Sequence, residues 1–77
     1  MECDILSKFG AHLRELRTEK GLSQTELAYR GNFDRNYIGM IERGERNPSL
    51  KSIFGIAKAL DITLQELFNF ECNDNHK

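Results

Sequence analysis

Two cysteines, Cys3 and Cys72, and two histidines, His12 and His76, are all the thiol and imidazole that the 77 residues offer. No CxxC occurs, and two cysteines with two histidines scattered in this way give no zinc-site spacing, so no metal is expected. Two cysteines near opposite ends make no disulfide framework either; they read as free thiols in a reducing cytosol. No nucleophile–base pair and no glycine-rich phosphate loop is visible, so neither enzymatic activity nor a cofactor is expected. No apolar run approaches the roughly 18 residues of a membrane span. The start, Met1-Glu2-Cys3-Asp4, is acidic and lacks the charge pattern of a signal peptide. These absences together point to the cytoplasm.

What is present is one small domain's worth of chain, with a thin core that many folds of this size supplement by oligomerising. The formal net charge is -1, so bulk composition does not announce a nucleic-acid partner. The distribution says more. Residues 14–60 carry nine Lys/Arg against six Asp/Glu, whereas residues 61–77 carry Lys77 against Asp61, Glu66, Glu71 and Asp74. A basic middle and an acidic end can present a locally positive face despite a nearly neutral total.

Helix punctuation recurs along the chain and no strand-type alternation stands out, so the expected fold class is all-α with five helices. Ile5, Leu6, Phe9, Leu13 and Leu16 fall within about 100° on a helical wheel, which predicts a first helix ending near Lys20 and stopped by Gly21. Ser23 with Glu26 three residues on is a capping box for a second helix, with Leu27 and Ala28 inward and an end near Arg30. Gly31-Asn32 reads as a tight turn, Asn being tolerant of positive φ. Asp34 caps a third helix that runs to about Arg43, with Gly44 as its stop. Ser49 caps a fourth, with Leu50, Ile53, Phe54, Ile56, Ala57 and Leu60 apolar, and Thr63 with Glu66 opens a fifth through Leu64, Leu67 and Phe68. Residues 1–72 form the domain; Asn73–Lys77 is a polar tail expected to be mobile.

At 100° per residue the third helix turns Ile38 and Ile41 to the core. The opposite side carries Asn36, Gly39, Met40 and Arg43, with Arg35 at one edge and Tyr37 at the other margin. Arg can grip guanine O6 and N7 bidentately, and Asn can do the same with adenine N6 and N7. The first turn of a recognition helix is the part that reaches base edges. Gln24 opens the second helix and Ser49 to Ser52 open the fourth, where free backbone N–H groups can hold phosphate. The plainer reading makes Arg35 and Asn36 an ordinary solvated turn and Tyr37 a packing residue. The flanking pattern favours the first reading for Arg35 and Asn36.

That pattern, "GLSQTELAYRGNFDRNYIGMIERGERNPSLKSIFGIAKALDITLQELF", resembles the helix-turn-helix domain of the Cro/C1 repressor type over Arg14 to Phe68, with the helix-turn-helix itself at about residues 24–43. The segment Phe33-Asp34-Arg35-Asn36-Tyr37-Ile38 and the short length are similar, more narrowly, to the controller proteins of restriction–modification systems. The resemblance implies base reading by Arg35 and Asn36, with Gln24, Tyr37, Met40, Arg43, Arg46, Asn47 and Ser52 along sugar and phosphate. It also implies a structural ion pair between Arg17 and Glu42, each at the edge of its helix's apolar stripe. RNA polymerase is a further partner that it allows. Two departures stand out. Asn32 replaces the usual turn glycine, and Gly31 stands where an apolar residue is usual, so a loosely packed turn is expected. Gly39 inside the reading helix should cost roughly 1 kcal/mol relative to Ala.

The fourth helix spreads its apolar residues over about 160°, more than one core needs. Phe54, Leu64, Phe68 and Phe70 are therefore expected at a twofold interface, because symmetric dimers are the commonest oligomers and a dimer reads two half-sites. The expected function is a homodimeric, sequence-specific regulator bound to double-stranded DNA at a palindromic operator, as repressor or activator. The alternatives are a protein-binding helical adaptor such as an antitoxin, or a phage-type repressor. His12, at the edge of the first stripe, is expected to have no role.

Overall fold

A computed structural model describes residues 3–72. Among the described residues there are five helices and no strand: α1 (Ile5–Glu19), α2 (Gln24–Gly31), α3 (Arg35–Glu42), α4 (Leu50–Leu60) and α5 (Leu64–Leu67). The expected tail, Asn73–Lys77, lies outside the described residues.

Local chemistry sets each start. Ser23, Asp34, Ser49 and Thr63 take extended backbone angles, and each side chain accepts a backbone N–H from the first turn that follows. Ser23–Glu26 and Thr63–Glu66 close reciprocal capping boxes, as their spacing predicts. The first helix uses Asp4, which accepts from the Ser7 N–H. Positive φ falls at Gly21, Asn32, Gly44 and Asp61, where the chain must turn left-handed to leave a helix.

α3 is the pivot, packed against both α1 and α2; α2 also lies on α4, and the one-turn α5 closes the bundle against α1 and α4. Leu13, Leu27, Ile38, Ile41, Ile56, Leu60 and Leu67 are fully buried and form one core with Phe9, Ala28 and Ala57. Two close approaches depend on glycine. A Cβ on Gly10 would stand 2.6 Å from the Glu42 carbonyl oxygen and closer still to that of Ile41, so α1 meets the end of α3 backbone to side face only because Gly10 has no side chain. Gly31 and Gly55 leave the space that the Phe33 ring fills: a Cβ would meet the ring at 2.5 Å and 3.1 Å respectively. The turn after α2 is therefore packed, contrary to the expectation from Gly31, because the bulk missing at Gly31 is supplied by the aromatic two residues on.

Two further expectations are corrected. Cys3 and Cys72 are not free thiols; they form a disulfide, with Cα atoms 5.3 Å apart, inside the range such a bond spans. The bundle brings the start of α1 and the segment after α5 to the same end of the molecule, a closeness that a separation of 69 residues conceals. His12 has a role: its Nε2 lies 2.9 Å from the Glu66 carbonyl oxygen and donates to it, fastening α1 to α5. Phe70, expected at the twofold interface, is half-buried, with its ring against Phe9, His12 and Phe68.

The disulfide closes nearly the whole chain into a loop, which in the chain-entropy picture stabilises by roughly 4 kcal/mol. Reduction with a phosphine should therefore lower the Tm by about 15–30 °C for a domain of this size. Cys72→Ser should melt at that lower temperature with or without reductant. A wild-type melt indifferent to reductant would contradict the cross-link.

Candidate nucleic-acid interface

The site begins beneath the surface, at Glu42. Arg17 on α1 donates from Nε to Glu42 Oε2 at 2.6 Å and from Nη2 to Oε1 at 3.0 Å. Its remaining Nη1 donates to the Leu22 carbonyl at 2.8 Å. Gln24, the first residue of α2, donates from Nε2 to the same Glu42 Oε1 at 2.9 Å. Arg17 and Glu42 are only 8% and 9% exposed, so their charges are tolerable only because this geometry satisfies them. The expected ion pair is present, and it joins three helices instead of two. A carboxylate can only accept, so Glu42 also fixes which way round the Gln24 amide sits.

Above that junction lies the outer face of α3. Arg35 and Asn36 are exposed in its first turn. The Asp34 carboxylate caps the turn by accepting the Asn36 backbone N–H at 2.8 Å. Among the described residues neither side chain is used in a hydrogen bond or ion pair within the protein. Tyr37 is half-buried, its ring centroid 5.8 Å from that of Phe33, and the Arg46 guanidinium stands 5.1 Å over it in a cation–π arrangement. Met40 is half-buried, and its carbonyl accepts the Glu45 N–H at 2.8 Å, which folds the following loop back onto α3.

Gly39 is not bare surface. A Cβ there would lie 3.2 Å from Arg43 Nη1 and 3.4 Å from Gln24 Oε1: these two side chains lie over the glycine and bury it. Arg43 is further held by Glu45, through Nε to Oε2 at 3.1 Å and Nη2 to Oε1 at 3.2 Å, and the hydrogen bonds and charge of Glu45 raise its pKa above the usual guanidinium value. At the start of α4, Ser52 is half-buried and its N–H is taken by the Ser49 hydroxyl at 3.0 Å. At the start of α2, hydrogen bonds with Ser23 hold the Glu26 carboxyl below the usual range.

The structure thus brings Gln24, Gly39 and Arg43 into one cluster and Tyr37 and Arg46 into another beside the exposed pair Arg35–Asn36. Asn47 is not joined to either; it lines a hollow with Ile5, Leu6, Phe9, Pro48, Ile53 and Phe68. Phe33 and Glu45, which position Tyr37 and Arg43, were not singled out from the sequence. Phe33 has a signal, the glycines on either side of it in space; Glu45 has only its nearness to Arg43. The expected interface residues Phe54, Leu64 and Phe68 are 53%, 38% and 43% exposed.

The helix-turn-helix family model matches residues 13–67, which contain every element from the buried arginine to α5. The chain belongs to the helix-turn-helix family. This helix-turn-helix chain is 43% identical over 71 residues to control protein C.BamHI of Bacillus amyloliquefaciens, spanning 91% of this chain and 88% of that one. It is 46% identical over 67 residues to control protein C.MunI of a Mycoplasma species, spanning 86% and 90%. Among solved structures it superposes on the restriction-modification controller protein C.AhdI from Aeromonas hydrophila with a TM-score of 0.82 at 58% identity, covering 83% of this chain and 97% of that one.

Removing one partner of the buried pair leaves the other charge unpaired, so Glu42→Ala should destabilise this helix-turn-helix domain by about 3–5 kcal/mol. Arg17→Met combined with Glu42→Leu should recover most of that loss. The check is a double-mutant cycle by urea unfolding, and additive losses would refute the coupling.

Proposed function

We propose that the protein is a sequence-specific regulator of transcription that binds double-stranded DNA as a homodimer. The observation that carries this reading is the first turn of α3, where Arg35 and Asn36 stand exposed and uncommitted on a helix whose inner side is locked by Ile38, Ile41 and the Glu42 junction. Such a turn can enter the major groove and offer two bidentate groups to base edges. Gln24 and Arg43 flank it where the phosphates of one strand would run, and Tyr37 with Arg46 where those of the other would.

The second half of the proposal rests on the apolar side chains left outside. Phe54 on α4, Leu64 on α5 and Phe68 just after it are exposed, as is Ile5 at 51%, and Ile5 and Phe68 line one hollow. Burying a side chain of that kind contributes roughly 1.5–3 kcal/mol, and a twofold axis doubles the number. The resulting dimer would carry two α3 helices to successive major grooves. The likeness to restriction-modification controllers supports an autoregulating controller as the physiological role. RNA polymerase is a further partner in that role.

Arg35→Ala should weaken binding to the preferred duplex by about 1–3 kcal/mol while changing binding to mixed-sequence DNA much less. Titrations of both duplexes by fluorescence anisotropy make the comparison. Equal losses on the two would reduce Arg35 to a phosphate contact.

A further inference from the structure

The carboxylates around α3 are accounted for with one exception. Asp34 caps the helix, and Glu42 is saturated by Arg17 and Gln24. Glu45 is exposed on the loop that follows, and among the described residues its only side-chain partner is Arg43. Both of its oxygens meet the arginine fork in parallel, which is the geometry a phosphate would adopt on the same group. The fork is also placed where a phosphate could come. A helical side chain covers the turn before its own Cα, and Arg43 runs back over Gly39, whose missing side chain leaves room for Nη1. The loop is held in position by the Glu45 N–H on the Met40 carbonyl, so the carboxylate is aimed and not merely nearby.

We propose that Glu45 is an intramolecular stand-in for a DNA phosphate: in the free protein it occupies the Arg43 fork, and duplex DNA has to displace it. This rests on the reading of the α3 face as a DNA interface. The pair does little for folding, because its side chains are 58% and 53% exposed and exposed pairs of this kind stabilise weakly. Its effect falls on binding. Each phosphate contact that Arg43 makes leaves a bare carboxylate beside a polyanion. Glu45 thereby lowers the sequence-independent part of the affinity and leaves base reading by Arg35 and Asn36 untouched.

The test is E45Q, alone and with R43A, on a mixed-sequence duplex across a series of salt concentrations. Gln keeps the size and removes the charge. E45Q should bind about three- to ten-fold more tightly than wild type at each salt concentration, because Arg43 meets its phosphate without first giving up a carboxylate. In the R43A background the same change should alter affinity less than about two-fold, since there is no fork left to release. The circular dichroism and melting of all four proteins should coincide. An equal gain with and without Arg43 would overturn the proposal, because Glu45 would then simply repel DNA. So would an E45Q that binds no better than wild type while wild type itself binds with a normal salt slope. Absence of salt-dependent binding in every form would overturn the proposal and the proposed function together.

Discussion

One buried carboxylate, that of Glu42, holds α1, α2 and α3 in a single arrangement. Its two oxygens take three donors, two from Arg17 and one from Gln24. An ionised group nearly out of water is costly unless every lone pair is well used, so the site tolerates little variation in where the three helices stand. Apolar packing alone is less selective: Ile38 and Ile41 would be content in several rotations of a short helix, whereas a bidentate fork is satisfied in one. The tilt of α3, and with it the aim of Arg35 and Asn36, follows from that restriction.

The rest of the molecule respects it. Gly10 lets α1 approach the carbonyls at the end of α3 closely enough for Arg17 to reach across. Phe33, seated between Gly31 and Gly55, fills the turn that separates α2 from α3 and supports Tyr37 from beneath. His12 on the Glu66 carbonyl and the Cys3–Cys72 bond tie down the far end, where α5 is too short to hold itself. The outcome is a division of surfaces. Hydrogen-bonding groups collect on the outer side of α3, and most of the exposed large apolar side chains, Leu50, Phe54, Leu64 and Phe68, lie between the start of α4 and the end of α5, which suits a dimer that presents two reading helices in the same direction.

Much of this was legible in the sequence, because much of it is local. A helix cap is decided within four residues, so Ser23, Asp34, Ser49 and Thr63 announce themselves, as does Asn32 in its left-handed turn. The inward face of α3 follows from 3.6-residue spacing. The Arg17–Glu42 pair was legible only through family resemblance together with wheel position, and the third member, Gln24, was expected to face phosphate alone. The unread features all join distant parts of the chain. No pattern along the sequence says that Cys3 meets Cys72, that His12 finds a carbonyl on α5, or that Phe70 turns inward. The cover over Gly39 is hidden for a related reason: the wheel puts it on the outward side of α3, and only the fold lays side chains from α2 and the end of α3 over it.

The most direct test of a dimeric reading surface aimed by the Glu42 junction is selection of bound duplexes from a random-sequence pool by the full chain. The account predicts an inverted repeat whose half-site centres lie one helical turn apart, roughly 10 base pairs or 34 Å, with a conserved guanine in each half that is lost from the pool selected by Arg35→Ala. Enrichment of a single unrepeated half-site, or of no sequence at all, would contradict it.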